Sequence, residues 1–346
     1  MTPISLIDVA SYLPETIVDN DFFKRPGEVP KKRAGAMFFA PTTRRHVRPD
    51  ETAAEMIALA SRRLIERLAL DPARDIDLLL TNVSVPDQAF TGCGAEVAHR
   101  IGCRPRHVTD LHNTGCVSFV YMLELARLLM PATGAKGALL CNVQNAGGRI
   151  FGQSETRYKP QAPVPGDGCG VAYLRASDES PILSVVHRCF GENACDMTGS
   201  GSGDGRPWWA AGESQLCVNF TEARIASIFR RGNRMVPEIV EAACREAGIS
   251  TEQIDALVTN QPNPFFLRNW REALQLPVEA HHESFDRYGN LFGAAIPITL
   301  DETLRAGKLA PGSRLVLGGF SHAGDYAAAA VVHWKKGQGA ALARAS

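Results

Sequence analysis

Two segments of the 346-residue chain place a reactive or hydrogen-bonding side chain directly after a glycine: Asn-Thr-Gly-Cys at 113–116 and Arg-Tyr-Gly-Asn at 287–290. The residues after Cys116 are apolar nearly all round, the pattern of a helix buried at the centre of a molecule. A thiol at the start of such a helix sits at the positive end of the helix dipole, which favours thiolate over thiol. A thiolate there can attack a thioester carbonyl and hold the acyl group. Cys116 is therefore a candidate nucleophile. The alternative is a packed core cysteine, which is the reading that fits the other eight of the nine cysteines. Nine is odd and no C-x-x-C pair occurs, so neither a disulfide framework nor a metal site is expected.

The elements that must position these residues occur twice. Residues 76–82 read Ile-Asp-Leu-Leu-Leu-Thr-Asn and residues 254–260 read Ile-Asp-Ala-Leu-Val-Thr-Asn, each a short aliphatic run suited to a buried strand. Each follows a helical pattern, at 52–70 and at 236–248, the second closed by Gly248. After the first strand the pattern predicts a helix (95–101), a strand (107–111), a helix (116–130) and a strand (138–143). After the second it predicts the same order: helix 265–274, strand 278–284, helix 291–305 and strand 314–317. Alternating strands and helices mean βαβ units and largely parallel sheets. Duplication would place Cys116 and Asn290 at equivalent helix starts, facing each other across a pseudo-twofold axis. The expected body is a layered α/β/α/β/α fold with halves at 1–175 and 176–336. Residues 147–209 are rich in Gly and Pro. The Gly-Ser-Gly-Ser-Gly-Asp-Gly run at 199–205 lacks the Gly-Lys-Ser/Thr of a phosphate loop and reads as a flexible loop. Residues 337–346 read as a disordered tail.

Composition narrows the function classes. Lys plus Arg and Asp plus Glu both count 37, so formal net charge is zero, unlike a general nucleic-acid binder. With 45% hydrophobic and 21% charged residues the chain is globular in composition. No apolar stretch is read as approaching the roughly 20 residues of a membrane helix. The first residues lack the charged start and apolar block of a signal peptide. A cytoplasmic protein without membrane or nucleic-acid partners is expected.

On these residues the chain resembles the ketoacyl-acyl-carrier-protein synthase III group of the thiolase superfamily. The matching pieces are SYLPE (11–15), RRHVRPDETAAEM (44–56), NTGCVSFVY (113–121), GDGCGVAYL (166–174), DRYGNLFGAAIPITLDE (286–302) and GGF (318–320). The resemblance covers nearly all of residues 3–334 and implies a thiolase-like duplicated fold and a homodimer. It also implies Cys116 as nucleophile and Asn290 as the asparagine of a Cys-His-Asn set. The histidine normally opens a His-Gln-Ala-Asn motif, but residues 260–263 here read Asn-Gln-Pro-Asn. Asn260 thus replaces an imidazole that, with the asparagine, stabilises the enolate in malonyl decarboxylation. An amide can donate a hydrogen bond but cannot act as acid or base. The expectation is a non-decarboxylating acyltransferase, like antibiotic-pathway and polyketide-pathway relatives with altered triads. It would pass an acyl group from Cys116 to a hydroxyl, amine or thiol acceptor. The alternative is a true condensing enzyme in which Asn260 suffices. A non-catalytic partner subunit is disfavoured by the retained Cys116.

By the same resemblance, the N–H groups of Cys116 and the Gly318–Gly319 loop form the oxyanion hole. His322 is the candidate base, with His281 and His282 as weaker ones; packing roles are the alternative for each. The tryptophan of the family's coenzyme A clamp is missing from residues 31–46, so the implied donor is an acyl carrier protein or a polyketide-synthase carrier domain. No permanently bound cofactor is expected, only the donor's phosphopantetheine arm, which would pass Asn260 and Asn263. Arg224, Arg230, Arg231 and Arg234 are the candidate docking patch for an acidic carrier, or else a solvated helix face; Arg268 and Arg271 are weaker candidates. Phe38, Phe39, Phe90, Phe151, Trp208, Trp209, Phe265 and Phe266 are candidates for an aromatic acyl pocket, with simple core packing as the alternative.

Overall fold

The computed structural model describes residues 2–27, 36–88, 90–112, 114–201, 215–321 and 323–335. The strands Ile4–Tyr12 (β1), Leu78–Val83 (β2), His107–Leu111 (β3), Gly137–Gln144 (β4) and Gly168–Ala176 (β5) form one five-stranded sheet in the order β1-β5-β4-β2-β3. Ile182–Cys189 (β6), Ala256–Thr259 (β7), His281–His282 (β8), Ser313–Ser321 (β9) and Tyr326–Trp334 (β10) form a second, in the order β8-β7-β9-β10-β6. Read from the opposite edge, the second order repeats the first. Pairing repeats as well: β2 is parallel to β3 and β4, and β7 is parallel to β8 and β9. The Thr-Asn strands β2 and β7 therefore occupy equivalent places, with Asn82 near the end of β2 and Asn260 directly after β7.

Helices fill three layers around the sheets. Ser118–Thr133 (α3) and Ala295–Arg305 (α6) lie between them, with Phe119, Met122, Leu123, Ile296 and Leu300 sharing one buried cluster with Leu78 and Leu140 of one sheet and Leu315 and Val332 of the other. Ala53–Leu68 (α1) and Gly94–Ile101 (α2) cover the outer face of the first sheet, and Glu222–Glu246 (α4) and Pro264–Ala273 (α5) that of the second. The expected α/β/α/β/α layering is what the chain adopts. The start of α1 is fixed twice over: Thr52 Oγ1 accepts from Glu55 N at 3.1 Å, and the Asp87 carboxylate accepts from Ala53 N at 3.0 Å and Ala54 N at 3.3 Å.

Several local expectations need correction. Gly115–Thr133 is 19 residues long and apolar enough by composition to cross a membrane, contrary to the reading that no stretch comes near. Half of it is buried, with Phe119, Met122, Leu123 and Ala126 packed between the two sheets, and a core helix passes the same compositional test. Cys116 lies in a 3-10 turn, Gly115–Val117, and the α-helix begins at Ser118. The strand expected at 278–284 is only His281–His282, because Val278–Ala280 after Pro277 coil into a 3-10 turn. The stretch 147–209 holds β5 and β6, whose glycines and short aliphatic runs hide strand character. Thr198–Gly201, which overlaps the start of the flexible loop expected at 199–205, pairs antiparallel with Leu216–Asn219. The rest of that loop and the tail at 337–346 lie outside the described residues.

Candidate active site

Cys116 reaches the site through a strained turn. Thr114 holds φ 65° and Gly115 φ 38°, so the chain reverses between the end of β3 and the 3-10 turn carrying the thiol. A threonine in the left-handed region is uncommon and costs free energy. Val117 N closes the turn on Thr114 O at 2.9 Å. The second half repeats the device. Gly289 holds φ 70°, Phe292 φ 46°, and the 3-10 turn Phe292–Ala294 leads into α6. Asn290 is fixed by its N–H donating to Val164 O at 2.9 Å, its carbonyl accepting from Gly166 N at 3.3 Å, and its Oδ1 accepting from Phe292 N at 3.0 Å. The two turns press together: a Cβ on Gly293 would lie 2.8 Å from Gly115 O and overlap Ser118 Oγ.

Asn260 leaves β7 and its carboxamide is clamped. Its Nδ2 donates to Phe320 O at 3.1 Å and its Oδ1 accepts from Phe320 N at 3.3 Å. Its backbone N–H donates to Gly318 O at 3.1 Å. The clamp explains the neighbouring glycine, since a Cβ on Gly319 would lie 2.8 Å from Asn260 Cγ and overlap Oδ1. Asn263 caps α5, its Oδ1 accepting from Phe265 N at 3.0 Å and Phe266 N at 3.1 Å, while Nδ2 donates to Met37 O at 3.3 Å.

Cys116, Asn260, Asn263 and Asn290 all border one cavity of about 270 Å³. Its apolar wall includes Met37, Phe38, Phe151, Met197, Phe220, Phe292 and Phe320, and its other polar groups are Asn82, Ser84, His112 and Gln161. No Asp, Glu, Lys or Arg borders it among the described residues. Gly318 and Gly319 lie on β9 behind Asn260 rather than on the cavity wall. Asp167, in the Gly-Asp-Gly of 166–168, braces the floor: its carboxylate accepts from Val47 N at 2.9 Å and from Gly147 N and Gly148 N at 2.7 Å each. Burial pushes this carboxyl up to about 7 against the pull of those donors.

Other expected residues fall elsewhere. His281 is buried outside the cavity wall, its Nε2 2.9 Å from Thr259 Oγ1, and burial pushes it down to about 3. Burial also lowers His282, which does not border the cavity. His322, Trp208 and Trp209 lie outside the described residues. Of the aromatic candidates, Phe38 and Phe151 border the cavity, Phe39 stacks edge-on to Phe265, Phe266 joins Trp270 and Phe320 in the core, and Phe90 is 99% exposed. Arg231 turns inward, 2.7 Å from Asp196 and bonded to Ala323 O. Arg224 lies 3.5 Å from the same Asp196, and Arg234 3.6 Å from Glu238. Among the exposed candidates, Arg268 pairs with Glu272 at 3.6 Å. Burial raises Cys93 to about 12 and Cys103 and Cys244 to about 11, consistent with inert core thiols; Cys189 and Cys195 are exposed.

Sequence reasoning missed His112. It stands four residues before Cys116, and the left-handed Thr114 and Gly115 between them, which the sequence does not announce, let both border one cavity. It also missed Phe220, Phe292, Met37 and Met197, which no periodicity marks as wall residues.

The duplicated sheets, the two central helices and the cysteine turn define a thiolase-like protein. Residues 244–334 match the C-terminal 3-oxoacyl-[acyl-carrier-protein] synthase III family. The chain is 24% identical over 325 residues to the β-ketoacyl-[acyl-carrier-protein] synthase III of Clostridium perfringens, covering 92% of this chain and 96% of that one. It is 29% identical over 292 residues to the Acaryochloris marina enzyme of the same name, covering 83% and 85%. The crystal structure of the Thermus thermophilus β-ketoacyl-[acyl-carrier-protein] synthase III superposes with TM-score 0.81 at 25% identity, covering 95% of this chain and 99% of that one. The chain is thus similar to ketoacyl synthases III over most of its length and has their thiolase-like fold.

Proposed function

We propose that this chain is an acyltransferase that does not decarboxylate. It takes an acyl group from a carrier-protein thioester onto Cys116 and passes it to a hydroxyl, amine or thiol acceptor in secondary metabolism. The carrying observation is Asn260, a carboxamide tied at both ends to the Phe320 backbone at the corner where a condensing enzyme of this kind keeps an imidazole. Such a group cannot gain or lose a proton as an enolate forms. Removing one donor from an anion-stabilising site costs about 10²–10³ in rate.

The same reading covers the partners. The donor is an acyl carrier protein, approached through the exposed Arg230 and Arg234 and the half-buried Arg224 on the first half of α4, and no cofactor stays bound. The oxyanion hole draws on the Cys116 N–H; the Gly318–Gly319 segment, which stands behind Asn260 and off the cavity wall, is not part of it. The assembly is a homodimer: the edge strand β3 is exposed from His107 to Asp110, Val108 is 41% exposed and Phe90 is 99% exposed. An exposed edge and an exposed aromatic are features that a second copy can cover. A second reading, the decarboxylative synthase, is favoured by the names of the relatives at 24–29% identity.

Intact-protein mass spectrometry separates the two. The protein is expected to gain an acyl adduct on Cys116 from an acyl carrier protein, and Cys116→Ala to gain none while keeping its fold by circular dichroism. Malonyl carrier protein is then expected to release no carbon dioxide. Release of carbon dioxide with a ketoacyl product would sink the acyltransferase reading.

A further inference from the structure

We propose that His112 is the base that accepts the acceptor's proton in the transfer step, an inference that rests on the acyltransferase reading and deepens it. A hydroxyl attacking a thioester must lose its proton as the new bond forms, and Asn260 offers no site for it. Among the described residues bordering the cavity, His112 carries the only imidazole, and apart from it and Cys116 the lining is apolar, amide or hydroxyl. His281, the other imidazole near β7, is bonded to Thr259 and does not border the cavity.

The local fold gives His112 its place. It follows the last residue of β3, and the left-handed Thr114 and Gly115 turn the chain so that the imidazole and the thiol, four residues apart, border the same space. Asn82, the counterpart of Asn260 in the first half, donates from Nδ2 to Leu111 O at 3.1 Å and so fixes the backbone entering His112. Ser84 borders the cavity on the same side of the first sheet. His112 is itself exposed, so it meets an acceptor arriving from solvent. The charged groups nearby are already engaged. Asp110 on the same strand accepts from Thr81 Oγ1 and Gly94 N, and Asp87 on the loop after β2 pairs with Arg149 at 2.7 Å.

The step balances without a further reagent. The acceptor oxygen bonds to the thioester carbon while its proton moves to the neutral imidazole. The tetrahedral oxyanion collapses, the carbon–sulfur bond breaks, and the Cys116 thiolate takes the proton from the imidazolium. The ester leaves, and thiol and imidazole return to their starting states. Loading of Cys116 draws on the helix dipole of α3 and does not require this base.

The test uses benzoyl-N-acetylcysteamine to acylate the full chain. Loss of the adduct is then followed by mass spectrometry with glycerol or with hydroxylamine, a strong nucleophile needing no base, from pH 5 to 9. His112→Gln is expected to load normally and to react with hydroxylamine within about threefold of wild type. Its transfer to glycerol is expected to fall by about 10²–10⁴, and the wild-type loss of rate on acidification should vanish with it. Glycerol transfer at the wild-type rate with an unchanged pH profile would overturn the role. An equal loss with both nucleophiles would also overturn it, by showing a merely structural contribution. If the wild-type chain never carries an adduct, the acyltransferase reading itself falls and takes this one with it.

Discussion

Asn260 is held by a donor and an acceptor on the same backbone segment, so its side chain has little freedom to serve a substrate. An imidazole at this position has a different spacing of ring nitrogens and cannot reproduce both bonds to Phe320. Asn260→His is therefore expected to lower stability by about 1 kcal/mol, read as a shift of the urea midpoint. It should also permit measurable carbon dioxide release from malonyl carrier protein. No gain at all would mean that other wall residues also block condensation. The exchange itself is legible in the Asn-Gln-Pro-Asn of 260–263. The clamp is not, because its partner is 60 residues away and acts through its backbone, which leaves no mark on residue type.

The two helix starts meet at a single glycine. Gly293 lies on the turn before α6, and any side chain there pushes against Gly115 O, one residue from the thiol. Gly293→Ala is expected to cost about 1–3 kcal/mol through overpacking and to slow acylation of Cys116 at least tenfold, measured with the same thioester. Acylation at the wild-type rate would mean that the turn yields without moving the sulfur. Strands and helices with strong aliphatic patterns, β2, β7, α1 and α3, were readable in the sequence. Glycine-rich β5 was not, because its strand pairing comes from neighbours distant in the chain, and β8 was read at the right place but too long, because the 3-10 turn after Pro277 shortens it. His112 escaped for a related reason: its position depends on two positive φ angles that a Thr-Gly pair permits but does not announce.

At the scale of the whole molecule, the buried imidazoles set the response to acid. Burial pushes His281 down to about 3 and His46 to about 4. An unfolded chain protonates its imidazoles near the ordinary value of about 6.5, so their contribution is intact above that pH and shrinks as the pH falls towards the folded values. Each site is expected to remove about 1.4 kcal/mol per pH unit between about 6.5 and 4. Asp167, raised to about 7 by burial, takes up its proton earlier in the folded chain than in the unfolded one and offsets one imidazole across this window. Urea midpoints should therefore fall with the slope of about one site, and His281→Gln should leave them nearly level. An unchanged slope in that variant would show that other groups carry the acid sensitivity. The cavity's wall has a consequence of its own. Because no ionic side chain borders it among the described residues, a cargo bearing a free carboxylate must trade its hydration shell for neutral amide, hydroxyl and imidazole groups with no opposite charge to pair with, which costs more than bringing in a neutral cargo. Solvation thus ranks what reaches the sulfur before shape does, with neutral acyl units ahead of dicarboxylic ones.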